Sequence, residues 1–99
     1  MTLFVGVDIA KETHYAAMTD QHGVILIEPF PFQNSKSGFD LFLGSILSFL
    51  QESEKLIIGF ESTAHYADNF IHFLVSNNLF FKVIRYTTSL LKQVIPSTH

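Results

Sequence analysis

Apolar and polar positions follow two rhythms along this chain. Leu3 to Ile9 is mostly apolar, and after a polar break at Lys11, Glu12 and Thr13 the pattern resumes from His14 to Thr19, which predicts two strands. Asp20-Gln21-His22-Gly23 reads as a turn, with Gly23 available for a positive φ and Val24 to Ile27 as the returning strand of a hairpin. Glu28 to Phe32 holds Pro29 and Pro31, which lack ladder donors, so it is either an edge strand or the start of a connection. The period then lengthens. Phe39, Phe42, Leu43, Ile46, Leu47 and Leu50 fall on one stripe of a helix, and Ser37 with Asp40 resembles a capping box at its entrance.

Leu56 to Phe60 is a compact, continuously apolar strand of the kind buried on both faces, and Glu61 closes it. Ser62 or Thr63 is placed to cap a second helix carrying Tyr66, Phe70, Phe73 and Leu74 on one side, with Asn77-Asn78 as its exit. Leu79 to Ile84 is a further strand. Residues 87–99 then make a short terminal helix or tail, which Pro96 cuts off after Leu90, Leu91, Val94 and Ile95. The order is β-β-β-α-β-α-β, an α/β pattern in which hairpin-joined strands come first and crossover helices follow. It is the order that opens the ribonuclease-H-like fold. A dinucleotide or phosphate-loop fold would run from its first strand through a Gly-rich loop, and neither Gly-rich fingerprint is present.

Composition narrows the chemistry. Ninety-nine residues without cysteine hold one domain and exclude a disulfide framework, a thiolate nucleophile and any Cys-ligated metal. The opening residues have no basic stretch and meet Asp8 early, and no apolar run approaches the ~20 residues of a membrane span, so a cytoplasmic protein is expected. Six Lys and Arg against nine Asp and Glu give a net charge of −3, which taken alone argues against nucleic acid. That inference weakens if the chain is one lobe of a larger protein. Eleven Phe are many for this size, and some are expected to face a partner or further chain.

Asp8 follows Gly6-Val7 in an otherwise hydrophobic strand, where a carboxylate is costly unless it is paired, hydrogen-bonded or metal-bound. A turn-bonded or exposed strand end would equally explain it. Glu61 invites the same question, with a helix first-turn acid as its ordinary explanation. If their strands are parallel neighbours, both acids emerge at carboxyl ends, where open α/β sheets place ligands. Paired carboxylates suit Mg²⁺ or Mn²⁺, metals that support phosphodiester chemistry. Two ligands are too few for a metal pair, and Asp20, Glu28 and Asp40 sit beside turns or helix starts with structural explanations. His14, His22, His65 and His72 contain no zinc spacing and read as structural or exposed.

Phe4 to Lys11 and Gly59 to Tyr66, in this order, resemble the N-terminal region of the IS110/IS111-type (IS116/IS110/IS902) DEDD transposases. The first follows a Gly, Ile/Val, Asp, Ile/Val, Ser/Ala, Lys pattern; the second follows Glu, Ser/Ala, Thr, Gly, any residue, Tyr. Ala64 departs from the glycine, and Ile84-Arg85-Tyr86 stands where many relatives have Asn-Pro. The resemblance implies a RuvC-like ribonuclease-H fold and a metal-dependent enzyme that cuts and joins DNA, with an Asp, Glu, Asp, Asp ligand set. It makes Asp8 and Glu61 the first two catalytic, metal-binding acids, with Mg²⁺ (or Mn²⁺) held only once the later acids are supplied. By the same resemblance residues 1–99 are the N-terminal part of the catalytic domain, expected to be inactive alone.

The resemblance also implies DNA as the partner of the full-length protein, leaves a guide nucleic acid and homo-oligomerisation open, involves no membrane, and places the enzyme in a bacterial or archaeal cytoplasm, on the nucleoid when bound to DNA. Lys11 is a phosphate contact or an ordinary exposed lysine; Thr63 is a helix cap or a hydrogen-bond partner of Glu61; Tyr66 is a DNA contact or a core residue. Two alternatives stand beside this reading: a non-catalytic remnant or small self-associating interaction module, and a Holliday-junction-resolvase-like nuclease.

Overall fold

The computed structural model describes residues 2–51, 54–61, 65–79 and 81–83. The strands are β1 (Thr2–Asp8), β2 (Thr13–Thr19), β3 (Ile25–Gln33), β4 (Lys55–Phe60) and β5 (Phe81–Val83), with helices α1 (Lys36–Leu47) before β4 and α2 (Asp68–Ser76) before β5. They form one sheet in the order β3-β2-β1-β4-β5. β1, β2 and β3 pair antiparallel, whereas β4 pairs parallel to β1 and β5 parallel to β4. The described elements thus follow the order expected from the pattern, and the terminal helix expected over 87–99 lies outside the described residues.

Local chemistry explains the joints. Asp20 closes the β2–β3 turn by accepting from the backbone N–H groups of His22 (2.8 Å) and Val24 (3.0 Å), and Gly23 takes φ 85°. β3 runs through Pro29 and Pro31 and is the sheet edge, which resolves the choice between edge and connection. α2 ends in a Schellman motif: Asn78 adopts φ 56°, Leu79 N–H donates to the Leu74 carbonyl (2.9 Å) and Asn78 N–H to that of Val75 (3.1 Å).

Two helix starts differ from expectation. Ser35, not Ser37, caps α1; its extended backbone lets Oγ accept from the Gly38 N–H at 3.2 Å. Asp40 instead pairs with Lys36 one turn earlier, at 3.3 Å. The cause lies at Gly38, where a Cβ would collide with the Gln33 carbonyl oxygen and sit 2.6 Å from its nitrogen. The first turn of α1 therefore lies directly against the end of β3, and the chain must enter the helix at once. α2 begins at Asp68 after a turn over 65–67, with no side-chain cap from Ala67. The expected caps Ser62 and Thr63 lie outside the described residues.

Both helices cover one face of the sheet. Strand alternation points Leu3, Val5, Val7, Ala16, Met18, Phe32, Ile58 and Phe60 to that face, where they are buried with Phe39, Phe42 and Ile46 of α1 and Phe70 and Leu74 of α2. Leu47, expected on the stripe, is 48% exposed because the helix ends there. Phe32, Phe39, Phe42, Phe60 and Phe70 interlock, with Phe32–Phe42 centroids 4.8 Å and Phe42–Phe70 5.2 Å apart. Such pairs each add about 0.5–1.5 kcal/mol beyond area burial. The phenylalanine surplus is thus largely internal among the described residues, where only Phe4 and Phe49 are exposed.

The glycine contacts predict opposite outcomes within one helix. Gly38→Ala should destabilise by about 1–3 kcal/mol through overpacking against backbone, whereas Gly44→Ala, where a Cβ meets nothing within 4 Å, should stabilise by about 0.5–1 kcal/mol. Urea unfolding followed by circular dichroism reads both.

Candidate active site

Asp8 is the last residue of β1, and Glu61 directly follows the last residue of β4. The parallel register pairs Val7 with Phe60, so the two acids are the next residues on neighbouring strands, which run about 4.8 Å apart. Alternation directs Asp8 to the face opposite the helices, in line with Phe4 and Gly6 on β1, and Glu61 leaves the end of β4 beside it. Each is half-buried. Tyr15 on β2 pairs with Asp8 and completes a row across three strands; the period-two alternation of β2 already carried that signal. Gly6 pairs with both Gly59 and Ala17. The next row back from the acids is therefore almost free of side chains.

The chain after Asp8 crosses to β2 in a short turn that is tied down from within. The Ala10 N–H donates to Nδ1 of His14 at 3.1 Å, which leaves the proton of the neutral imidazole on Nε2. His14 is fully buried, its ring edge-on to Phe32 (5.3 Å) and 6.0 Å from Phe70. It is therefore structural, the first of the two roles expected for it. Burial pushes its pKa below the ordinary value of 6.5, against the opposing influences of the Asn34 side chain and the Asp8 charge. Nε2 of His14 and Oδ1 of Asn34 are both buried, and neither makes a hydrogen bond among the described residues.

Lys11 is exposed on this turn, beside the acidic edge. Tyr66 is 39% exposed and precedes α2, so it is not the core residue that the apolar stripe suggested. Thr63 lies outside the described residues. His22, His65 and His72 are exposed, and His65 stands 3.5 Å from Asp68. A groove between α1 and α2, lined by Lys36, Phe39, Asp40, Asn69 and His72 among others, belongs to the helical side of the sheet and not to the acids.

Carboxylate oxygens at the ends of two parallel strands fit a hard divalent cation such as Mg²⁺ or Mn²⁺ in donor type. They fit it in part only, since no group of three or more potential metal ligands exists among the described residues.

A family model for transposases, that of the IS110-type DEDD enzymes, matches residues 5–94. The chain belongs to this family. The transposase match makes the fold RuvC-like, a ribonuclease-H-like sheet. Comparison with curated proteins returns no match. Among solved structures the chain is similar to Pelota from Archaeoglobus fulgidus, described for its inter-domain structural plasticity, at 18% identity and a TM-score of 0.51. That likeness covers 89% of this chain and 28% of Pelota and concerns the fold alone. Among the described residues of this transposase-family chain, no helix is long and apolar enough to cross a membrane.

His14 makes the stability of this region depend on pH. Its folded pKa is depressed, so below about pH 6.5 the unfolded chain takes up a proton that the folded chain resists; stability is complete above that value and falls as pH drops toward the folded pKa. The urea midpoint should decrease between about pH 7.5 and pH 5.5, and His14→Gln should flatten that slope.

Proposed function

We propose that this chain is the N-terminal part of an insertion-sequence DNA transposase and contributes the first two acids of its Asp, Glu, Asp, Asp metal-binding set. The observation that carries the reading is the placement of Asp8 and Glu61 one residue beyond the paired Val7 and Phe60, within a family match over residues 5–94. A divalent cation bound there supplies charge neutralisation and an activated oxygen nucleophile for phosphodiester cleavage and strand transfer. Asp8 contributes an oxygen ligand from the end of β1 and Glu61 one from the residue that leaves β4, so the parallel ladder brings both to the same edge. The row behind the acids holds only Gly6, Gly59 and Ala17, so no large side chain of these strands stands there. The remaining acids belong to sequence beyond these residues, and DNA is the partner of that longer protein. It acts in the cytoplasm, on the nucleoid.

The test is plasmid nicking with Mg²⁺ or Mn²⁺. In the full-length protein Asp8→Ala and Glu61→Gln should each reduce nicking by at least about 100-fold, since loss of a metal ligand exceeds the cost of losing a group behind one. Residues 1–99 alone should not nick. Wild-type activity in either variant, or robust nicking by the isolated chain, overturns the reading.

A second reading, a self-associating module without catalysis, draws on one observation. Leu41 (58% exposed), Leu47 and Phe49 (45%) lie on or just after α1, in a stretch without charge from Leu41 to Gln51. Sedimentation of residues 1–99 decides it: a monomer at all concentrations removes this reading, and a concentration-dependent dimer supports it.

A further inference from the structure

We infer that Asn34 is a positioning residue, holding the turn after Asp8 so that Lys11 meets a nucleic-acid phosphate at the acidic edge of the sheet. The inference rests on the DNA reading above and assigns part of the same site.

Asn34 follows the last residue of β3, distant in sequence from the turn it holds. Its backbone N–H donates to the Glu12 carbonyl at 2.8 Å, and its side-chain Nδ2 donates to the Lys11 carbonyl at 3.1 Å. With the Ala10 N–H bonded to His14, consecutive residues 10, 11 and 12 each have a backbone polar group fixed. Asn34 is in turn held from behind: Ser35 caps α1, and Gly38 brings the helix against Gln33. A short side chain with a donor is required here. Aspartate would set an acceptor against the Lys11 carbonyl, and alanine would leave that carbonyl without its partner.

The side chain of Lys11 contrasts with its backbone. It is exposed, and the ion pairs among the described residues, Lys36–Asp40 and His65–Asp68, do not include it. A lysine on an immobilised backbone, in no ion pair among the described residues, is suited to a phosphate, which it meets as a point charge. It also lies three residues after Asp8, in a chain with only six Lys and Arg.

The test is a double-mutant cycle in the full-length transposase, with affinity for a fluorescein-labelled DNA duplex measured by anisotropy without divalent metal across a series of salt concentrations. Lys11→Ala should weaken binding about threefold to tenfold and lower the salt dependence by about one counterion. Asn34→Ala should do the same although the lysine remains, and the double variant should be no weaker than the weaker single variant. Circular dichroism verifies folding, and Asn34→Ser replaces Asn34→Ala if the latter does not fold. A wild-type salt dependence in the Asn34 variant, losses that multiply in the double variant, or an unaltered affinity in Lys11→Ala each overturns the inference. Nicking by Asp8→Ala separates the two claims: wild-type nicking there overturns the metal site, while a coupled affinity cycle still supports Asn34.

Discussion

The parallel ladder between β1 and β4 is the constraint on which the remaining architecture depends. It joins residues about fifty positions apart and sets Gly6 beside Gly59 and Val7 beside Phe60. A shift of one residue would turn every side chain of β4 to the other face, bury Glu61 under the helices and expose Phe60. The register is therefore enforced by the hydrophobic face, where Val5, Val7, Ile58 and Phe60 are almost wholly buried. The acids receive their placement from residues on the opposite side of the same strands.

Packing on the helical face does more than stabilise. The crossover from β3 to β4 starts in contact with the strand it leaves, and Gly38 permits this by admitting the Gln33 backbone against the first turn of α1. Interlocked phenylalanines then fill the space between sheet and helices and enclose His14, whose neutral ring accepts from the turn beyond Asp8. Core and acidic edge are consequently one mechanical unit: the ring that completes the aromatic cluster also anchors the loop that leaves the first acid. A protonated His14 has no lone pair at Nδ1 for Ala10, so acid weakens both together.

Much of this was legible in the residues. Alternation in β1 and β2, the wider spacing of Phe39, Phe42 and Ile46, and the turn residues at Asp20 to Gly23 predict the elements because each signal is local. The two acids drew notice because a carboxylate interrupts or ends an apolar strand, and their being neighbours followed from topology. What escaped the sequence depends on distant contacts. Nothing near Asn34 in sequence reveals its carbonyl partners in the β1–β2 turn, and the close approach of Gly38 to the Gln33 backbone is set by where α1 meets the sheet and not by residue type. Tyr66 carried the helical period but falls in the turn before α2, where that period has no face to bury. The count of Phe likewise could not tell an aromatic core from an exposed patch.

One edge of the sheet has a further consequence. Pro29 and Pro31 stand two residues apart on β3, so both imide nitrogens lie on the same lateral side, away from the β2 ladder. That side lacks two of the donors a sixth strand would require, which blocks templated addition by other chains. Lateral pairing is thereby disfavoured on the β3 side, whereas β5, the opposite border of the described sheet, carries no proline and keeps its backbone donors.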